Sequence, residues 1–335
     1  MQSVVVERFG GPEVLVTVER PLPEPGPGEV RVRVRAAGVS HAEVLMRRGV
    51  YPRWEGAPSA PFTPGWDVVG TVNRLGPEVA GLHAGQRVAA LTKVGGYSEA
   101  LCLPAAELVP VPEGVDDAEA VCLVLNYLTA YQMLHRVAQT RSGEQVLIDG
   151  AAGGVGSALA ELGRSAGVRV LGIASDSKHE FVASLGALPI DRAEDLRRAL
   201  RRLAGGSVDV AFDGVGGWHL VQSVRAVRRG GRVVPFGVSA IHSRLGQLGQ
   251  YLGFPAALAF VLAGGRRLRL YSISRLRRAH PDWFREDLAT LLDLLAQRRL
   301  SPRVAARLPL SKAREAHELL ERGEVRGRIV LTPGA

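Results

Sequence analysis

The stretch QVLIDGAAGGVGSALAELG, residues 145–163, decides the fold of this chain. Its first five residues predict a short buried strand, the glycines that follow predict a tight turn, and the remainder predicts a helix. Such a turn is typical of a dinucleotide site, because glycines let the main chain approach a pyrophosphate and the helix N-terminus offers free N–H groups. We therefore predict that a cofactor contacts Ala151, Gly153, Gly154, Val155 and Gly156.

Strands and helices alternate along the chain around this stretch. Short apolar runs bounded by turn residues predict buried parallel strands at 145–148, 169–173, 208–212 and 232–236. Helical patterns fill the gaps at 157–166, 178–185 and 218–227. The predicted fold class is therefore α/β, with a doubly wound parallel sheet of the Rossmann type.

Both ends of the chain have a different pattern. Residues 1–112 read as β-rich, and residues 29–35 alternate apolar and charged side chains, which indicates a half-exposed strand. The chain ends with two amphipathic helices, at 283–297 and 311–322, and a final strand at 327–331. A length of 335 residues favours two domains over one.

Composition narrows the function classes. Hydrophobic residues make up 46% of the chain and charged residues 22%, with a mean hydropathy of +0.08, as in a soluble globular protein. The net charge is +9, and nearly all basic residues are arginines spread over many predicted helices; lysine occurs only at 93, 178 and 312. A nucleic-acid protein usually clusters its charge, so we do not expect nucleic acid as a main partner.

The cysteines, the N-terminus and the most apolar segment bear on the cellular compartment and on whether the chain spans a membrane. Cys102 and Cys122 lie in apolar runs without the spacing of a zinc or redox pair, which favours buried thiols in a reducing compartment. The N-terminus lacks the design of a signal peptide. The most apolar segment, 245–262, is interrupted by glutamine, glycine and proline, so it predicts no membrane span. We expect a cytoplasmic protein.

The end of the second Rossmann strand indicates which dinucleotide binds. An NAD site usually has a carboxylate there for the ribose hydroxyls, whereas this strand ends in Gly-Ile-Ala-Ser175 with Lys178 close behind. Ser175 and Lys178 suit a 2′-phosphate, so NADPH is preferred over NADH. Asp176 would reverse this preference if it pointed inward. Arg192 is a second candidate for the phosphate, with a plain surface charge as the alternative.

These motifs together resemble the medium-chain dehydrogenase/reductase superfamily. Besides the glycine turn, the resemblance rests on LNYLTAY at 125–131, DGVG at 213–216, GGRVVPFG at 230–237, PGWDVVG at 64–70, AREAH at 313–317 and GRIVL at 327–331. It covers essentially the whole chain. Within the superfamily the sequence is most similar to the zinc-independent quinone oxidoreductase branch, which includes zeta-crystallin-like proteins.

The resemblance implies an architecture. A GroES-like substrate domain would comprise residues 1–118 and the C-terminal return at 269–335, with a Rossmann NADP-binding domain inserted at 119–268. It also implies an active-site cleft between the domains and a homodimer formed by joining Rossmann sheets edge to edge.

The resemblance further implies that this chain uses no zinc. Carried over position by position, the catalytic zinc ligands of the alcohol dehydrogenases fall at Ser40, Trp66 and Leu125. Trp66 and Leu125 cannot bind a metal, and serine alone is a weak zinc ligand. The four-cysteine structural zinc lobe is impossible with two distant cysteines.

Without zinc, hydrogen-bond donors must stabilise the negative charge that a transferred hydride creates on an oxygen. Tyr51 and Ser40 are the catalytic candidates that the resemblance implies. For Tyr51 the alternative is a packed aromatic residue, and for Ser40 it is a helix N-cap with Glu43 completing a capping box. A second tyrosine position of the family holds Leu45 here, which is a departure that bears on substrate preference.

Further site residues follow from the same resemblance. Cofactor contacts are expected at Asn126, Tyr127 and Thr129, and at Phe236 and Gly237 after a later Rossmann strand. Substrate-pocket residues are expected at Trp54, Trp66 and Leu125, with an ordinary core role as the alternative for both tryptophans.

The predicted function is an NADPH-dependent reduction of a quinone or an α,β-unsaturated carbonyl compound. One alternative is an enoyl or alkenal reductase with little quinone activity. Another is a cofactor-sensing protein without significant turnover, with RNA as a conceivable partner because the arginine excess is compatible with it.

Overall fold

The structure is a computed structural model that describes residues 1–52, 55–238 and 244–333, with residues 244–248, 250 and 251 described by their backbone. The chain divides into two compact units. The first unit comprises Met1–Leu128 and Pro281–Ala335, and the second comprises Thr129–His280. The corresponding boundaries predicted from the sequence lie about ten residues earlier, at 118/119 and 268/269.

The N-terminal part of the first unit is mainly β-structure. In chain order it contains β1 (Gln2–Val6), β2 (Leu15–Glu19), β3 (Glu29–Val39), α1 (His41–Arg47), β4 (Asp67–Leu75), β5 (Arg87–Leu91), β6 (Ala100–Pro104), β7 (Val109–Pro110) and α2 (Asp117–Cys122). A π-helical segment, Leu123–Tyr127, follows and leads into α3 (Leu128–Tyr131), where the second unit begins.

The second unit alternates strands and helices. After a second π-helical segment, Gln132–Val137, it contains β8 (Gln145–Asp149), α4 (Gly154–Ser165), β9 (Arg169–Ala174), α5 (His179–Ser184), β10 (Leu188–Asp191), α6 (Leu196–Ala204), β11 (Val208–Asp213), α7 (Trp218–Ala226), β12 (Val227–Pro235), α8 (Arg244–Ala263), β13 (Arg267–Leu268) and α9 (Ile273–Ala279).

The C-terminal segment returns to the first unit. It contains α10 (Pro281–Ala296), β14 (Val304–Pro309), α11 (Ala313–Glu321) and β15 (Arg328–Thr332). β15 pairs antiparallel with β3, which places the last strand in the sheet built by the N-terminal residues. The sheet has seven strands in the order β14-β15-β3-β4-β5-β7, with β6 paired to β3.

Strand β3 shows how the sequence pattern fixes this sheet. Val30, Val32 and Val34 are buried, while Arg33 and Arg35 alternate with them and are exposed. The strand continues four residues beyond the predicted 29–35, to Val39. Alternation stops there because both faces of its end are covered, and the buried residues become small and apolar.

The second unit has the predicted doubly wound sheet. Its six strands are all parallel and run in the order β10-β9-β8-β11-β12-β13, so the order reverses between β8 and β11. Leu147, Leu171 and Ala211 are fully buried at its centre. Ligands of such sheets bind outside the carboxyl ends of the strands at this switch point. The turn after β8 lies there and is the expected ligand site. Among the helices that the structure describes, none is long and apolar enough to cross a membrane.

A buried ion pair joins two strands of the first unit. The Nη2 atom of Arg328 on β15 donates to Oδ1 of Asp67 on β4 at 2.6 Å, and both side chains are buried. Gly38 makes room for this guanidinium, because a Cβ at that position would lie 2.0 Å from Nη2 of Arg328. The pair keeps two charges in the interior, so each depends on the other.

We expect replacement of Arg328 by methionine to lower the free energy of unfolding by about 3–5 kcal/mol, because Asp67 is then a buried charge without its partner. The double variant D67L/R328M should lose clearly less free energy of unfolding than the single variant, because neither buried charge remains. Urea unfolding of both variants measures this, with the exposed Arg303→Met as a control for loss of positive charge. Equal losses in the single and double variants would contradict the mutual dependence of the two charges.

Candidate functional site

The turn after β8 is shaped by close backbone packing. Gly150 has a φ of +86°, and α4 begins at Gly154 after an extended N-cap, Gly153, without a side-chain cap. A Cβ at position 156 would lie 2.1 Å from the carbonyl oxygen of Gly150 and 2.7 Å from Cα of Ala151. The first N–H groups of α4 therefore have no side-chain acceptor at the N-cap, as an anion-binding helix start requires.

The neighbouring strand supports the turn from behind. Gly172 of β9 lies where a Cβ would be 2.7 Å from Cβ of Ala151, so a side chain there would push the turn outward. Ala151 is fully buried and its N–H donates to the carbonyl of Ile173 at 3.1 Å. The turn that contains Ala151, Gly153, Gly154, Val155 and Gly156 thus has one defined position against the sheet.

The end of β9 carries no inward-pointing carboxylate. After Ser175, a short 3₁₀ helix, Asp176–Lys178, turns the chain. The Asp176 side chain is 88% exposed, and its Oδ1 lies 3.6 Å from Nδ1 of His179. Asp176 therefore faces solvent and does not point inward, which is the orientation that would have reversed the preference for NADPH. Arg192, which follows β10, is also exposed.

Two carboxylates and a histidine meet at the carboxyl ends of β8 and β11. Nδ1 of His219 lies 3.1 Å from Oδ2 of Asp149, and Asp213 accepts hydrogen bonds from the N–H groups of Val215 and Gly216 and from the Ser223 hydroxyl. Burial, together with Asp149, raises the pKa of Asp213 to about 6. The hydrogen bond to Asp149 raises the pKa of His219. This group was not predicted from the sequence, because its members are far apart in the chain.

Phe236 and Gly237 lie at the same end of the sheet. The N–H of Phe236 donates to the carbonyl of Asp213 at 2.9 Å. A Cβ at position 237 would lie 2.2 Å from the carbonyl oxygen of Gly214, and a Cβ at 214 would meet the Phe236 ring at 2.8 Å. Both predicted contacts therefore belong to the strand ends where the glycine turn also lies.

The predicted nicotinamide contacts fall on irregular helix. Asn126 and Tyr127 end the first π-helical segment, and Thr129 lies in α3. All three are buried, with 3–6% of their surface exposed. Leu125, a predicted pocket residue, lies in the same π-helical segment and is 9% exposed. π-Helical turns are rare and often occur at functional sites, and no pattern in the sequence predicted them.

Ser40 adopts the N-cap geometry that the sequence suggested as its alternative role. Its hydroxyl donates to Oε2 of Glu43, its N–H donates to the same carboxylate at 2.9 Å, and it caps α1. Oε1 of Glu43 accepts the N–H of Trp66 at 3.0 Å. One buried carboxylate thus joins the start of α1 to the segment before β4. Burial raises the pKa of Glu43 to about 7, with Asp67 adding to the rise.

Tyr51, Trp66 and Lys93 form a second group, which we call the aromatic donor cluster. The ring centroids of Tyr51 and Trp66 are 6.0 Å apart, and Nζ of Lys93 lies 5.9 Å from the centroid of Trp66. The Lys93 ammonium also donates to the carbonyl of Glu55. Trp54, predicted for the same pocket, lies outside the described residues.

Two donors of this cluster, the Tyr51 hydroxyl and the Trp66 indole N–H, have no acceptor among the described residues, whereas Lys93 donates to Glu55. Trp66 is only 3% exposed, and its buried Nε1 has no hydrogen-bond partner. Within the described ranges no residue accepts the Tyr51 hydroxyl. Burial, followed by the nearby Glu55 and Glu43 carboxylates, raises the pKa of Tyr51, so the phenol stays protonated. Lys93 was not predicted from the sequence, where its one signal is the rarity of lysine. In the structure it has a φ of +68°, which is unusual for a non-glycine residue.

The three positions that the resemblance assigns to zinc ligands hold an N-cap serine, a buried tryptophan and a buried leucine. In the part of the chain that the structure describes, no group of three or more histidine, cysteine, aspartate or glutamate side chains is arranged to hold a metal ion.

Comparison with known families agrees with this architecture. The family model described as "Alcohol dehydrogenase GroES-like domain" matches residues 26–113, within the first unit. The model described as "Zinc-binding dehydrogenase" matches residues 185–331. The second match begins after the glycine turn and runs from the Rossmann-type sheet into the C-terminal segment that returns to the first unit.

Relatives extend over the whole chain. The human synaptic vesicle membrane protein VAT-1 homolog is 30% identical over 345 residues, which cover 100% of this chain and 87% of the relative. The rat quinone oxidoreductase is 32% identical over 243 residues, or 71% of this chain and 73% of the relative. The crystal structure of Escherichia coli quinone oxidoreductase complexed with NADPH has a TM-score of 0.87 and 28% identity, covering 99% of this chain and 100% of the other.

Fold, sequence motifs and relatives define one class. The chain belongs to the medium-chain dehydrogenase/reductase superfamily, in its quinone oxidoreductase-like branch, and it is an oxidoreductase. This confirms the resemblance stated from the sequence.

Glu43 makes the stability of the first unit depend on pH. The pKa of Glu43 is about 7 in the folded chain, against 4.5 for an ordinary glutamate. The contribution of Glu43 to the free energy of unfolding is therefore most favourable below pH 4.5 and declines as the pH rises to about 7. We expect Glu43→Gln to remove this decline, which changes the wild-type-minus-variant difference by on the order of 3 kcal/mol across that window.

Urea unfolding at a series of pH values measures the effect, with the exposed Glu113→Gln as the matched control. Parallel pH profiles for the wild type and the Glu43 variant would show that this carboxylate is not the titrating group.

Proposed function

We propose that this chain binds NADPH at the glycine turn of the second unit and reduces quinones or α,β-unsaturated carbonyl compounds without a metal ion. The observation that carries the proposal is the turn itself, whose backbone leaves no space for a side chain at Gly156 and whose helix start has no side-chain cap. Two solved neighbours, the Escherichia coli quinone oxidoreductase and a mycobacterial protein, are described as complexed with NADPH, which supports it.

The choice of NADPH over NADH rests on the end of β9. A carboxylate at that position would accept the ribose hydroxyls of NADH and repel a 2′-phosphate. Here the strand is followed by Ser175 and Lys178, and the nearest carboxylate, Asp176, is 88% exposed beside His179. The local charge therefore favours the phosphate, with Lys178 as its main partner and Arg192 as a second.

We expect Lys178→Ala to weaken NADPH binding by roughly tenfold or more and to leave NADH binding nearly unchanged, because only NADPH carries the phosphate that the ammonium would hold. Fluorescence titration with both nucleotides measures the two affinities. Lys312→Ala, which removes an exposed lysine of the first unit, is the matched control. Equal losses for NADPH and NADH would contradict the assigned role of Lys178.

The chemistry requires a site where negative charge can develop. Bound NADPH supplies a hydride to the acceptor. The acceptor oxygen then becomes negative and needs hydrogen-bond donors. Quinones and conjugated enones suit a site without a metal, because their product anions are delocalised. Simple alcohol oxidation does not, since it first needs an alkoxide.

The contacts of the two catalytic candidates distinguish them. The Ser40 hydroxyl already donates to Glu43, so its proton is committed to a structural hydrogen bond. Tyr51 carries a protonated phenol whose hydroxyl has no acceptor among the described residues. We therefore assign Tyr51 as the donor to the acceptor oxygen, and Ser40 as the cap that holds α1.

The neighbours of Tyr51 strengthen this assignment. The buried indole N–H of Trp66 is a second donor without a protein acceptor, and the Lys93 ammonium lies over the same ring. Lys93 adds a positive charge to this cluster, which favours negative charge on an acceptor bound against it. The half-buried ring of Tyr51 offers apolar contact to a planar acceptor, which a quinone or an enone provides.

We expect Tyr51→Phe to lower kcat for quinone reduction by roughly 100-fold, because one donor to the developing oxyanion is lost. The NADPH affinity should stay the same, since the phenol is not assigned to the cofactor. Steady-state kinetics and a nucleotide titration separate the two effects. Tyr271→Phe, which removes a phenol that donates to Gln132, is the control. Unchanged kcat in the Tyr51 variant would overturn the assignment.

Measuring NADPH consumption with a small quinone and with an alkenal tests the proposal as a whole. Faster turnover of the quinone supports the quinone reductase, and turnover of the alkenal alone supports the double-bond reductase. NADPH binding without turnover of any acceptor would contradict both and favour a cofactor-sensing role. Homodimer formation and a cytoplasmic location, expected from the sequence, stay predictions.

A further inference from the structure

Four arginines line a small cavity in the second unit. The cavity has a volume of about 80 Å³ and is lined by Val137, Ala138, Gln139, Arg141, Arg232, Arg267 and Arg269. No lining residue is acidic. For comparison, a water molecule occupies about 30 Å³ in the liquid, so the cavity has room for a group of a few heavy atoms.

The strand register brings three of these guanidinium groups to one face. Arg232 of β12 is the direct partner of Arg267 of β13 in the parallel ladder. Arg269, two residues further on, continues the ladder because its N–H donates to the carbonyl of Val233 at 2.8 Å. Since side chains alternate along a strand, Arg232, Arg267 and Arg269 project from the same face of the sheet. Like charges directly opposite on neighbouring strands destabilise a sheet.

Glu144 is the carboxylate beside the cavity, and it neutralises only one of the four arginines. Both Nη atoms of Arg232 donate to Glu144, to Oε1 at 2.9 Å and to Oε2 at 2.5 Å. Glu144 also accepts the backbone N–H of Arg141 at 2.9 Å. Within the described residues no carboxylate pairs with the side chains of Arg141, Arg267 or Arg269. The buried Nε of Arg232 has no partner either. The cavity therefore has an excess of positive charge.

This cavity is separate from the glycine turn. Arg232 is level with Val210 of β11, and Val210 is level with Val146 near the start of β8. The glycine turn begins beyond Asp149, at the other end of β8. Arg267 is also level with Val146, and Arg269 is level with Ile148. However, β12 and β13 are the second and third strands away from β8. At about 4.8 Å per strand, the two sites therefore lie roughly 10–14 Å apart across the sheet. Arg232, Arg267 and Arg269 thus belong to β12, β13 and the residue after β13, whereas the proposed NADPH turn follows β8.

We propose that this cavity binds the phosphate group of a small ligand, either free inorganic phosphate or a phosphate monoester. Guanidinium groups match a tetrahedral oxyanion with paired N–H donors and stay charged at every physiological pH. Arg267 and Arg269 lie on and just after the edge strand β13 and are exposed in the single chain, where a monoester can place its phosphate in the cavity and leave the remainder in solvent. The bound charge offsets the repulsion between Arg232 and Arg267.

Calorimetric titration with potassium phosphate tests the proposal. The protein is saturated with NADPH so that the cofactor turn is filled, and potassium chloride keeps the ionic strength constant. We expect saturable phosphate binding that weakens at least about tenfold in the double variant R267Q/R269Q, because two charge-assisted contacts are lost. Both side chains are exposed, so the variant should fold normally.

The matched control is R197Q/R198Q, which removes two exposed arginines of α6 in the same unit. It should bind phosphate like the wild type. A parallel titration with glycerol 3-phosphate identifies the source of the phosphate: tighter binding than phosphate supports a monoester, and weaker binding supports the free ion. Absence of saturable binding by the wild type, or equal weakening in both double variants, would overturn the proposal. The result does not depend on turnover of any acceptor.

Discussion

The close contact between the first turn of α4 and the loop after β8 is the constraint on which the cofactor surface depends. A side chain at Gly156 would lie 2.1 Å from a backbone oxygen that cannot move without displacing the strand. Gly172 imposes the same limit from the neighbouring strand, through Ala151. Because these contacts involve main chain and short side chains, they fix the helix start where its N–H groups can meet a pyrophosphate. The strand order of the sheet then places Asp213 and Phe236 at the same end.

In the first unit, a carboxylate connects the segments that would carry zinc ligands in related alcohol dehydrogenases. Glu43 accepts hydrogen bonds from both Ser40 and Trp66, the positions where two of those ligands would stand. Asp67, the residue after Trp66, is held by Arg328 from the last strand. Buried polar groups need partners, and these residues provide most of them for one another, although Oδ2 of Asp67 and Nε of Arg328 have none. The phenol of Tyr51 and the indole N–H of Trp66 are the donors left over, which is why the proposed chemistry centres on them.

Much of the fold could be predicted from the sequence, because local sequence patterns determine its strands, turns and helix starts. Period-two alternation located β3, and the glycine turn with its flanking strand and helix located the Rossmann unit. The capping box of Ser40 and Glu43 was also visible, since it spans three residues. What could not be predicted depends on contacts distant in sequence. His219 meets Asp149 across 70 positions, and Lys93 reaches Glu55 across 38. The exposure of Asp176 follows from a turn geometry that composition does not specify.

The central claim is that reduction proceeds with hydrogen-bond donors in place of a metal ion. The most direct measurement is the rate of NADPH oxidation with a small quinone after exhaustive dialysis against a chelator, with the metal content of the same sample determined by elemental analysis. The account predicts an unchanged rate at a metal content far below one ion per chain. A rate that falls with the metal content and returns on addition of zinc would contradict it.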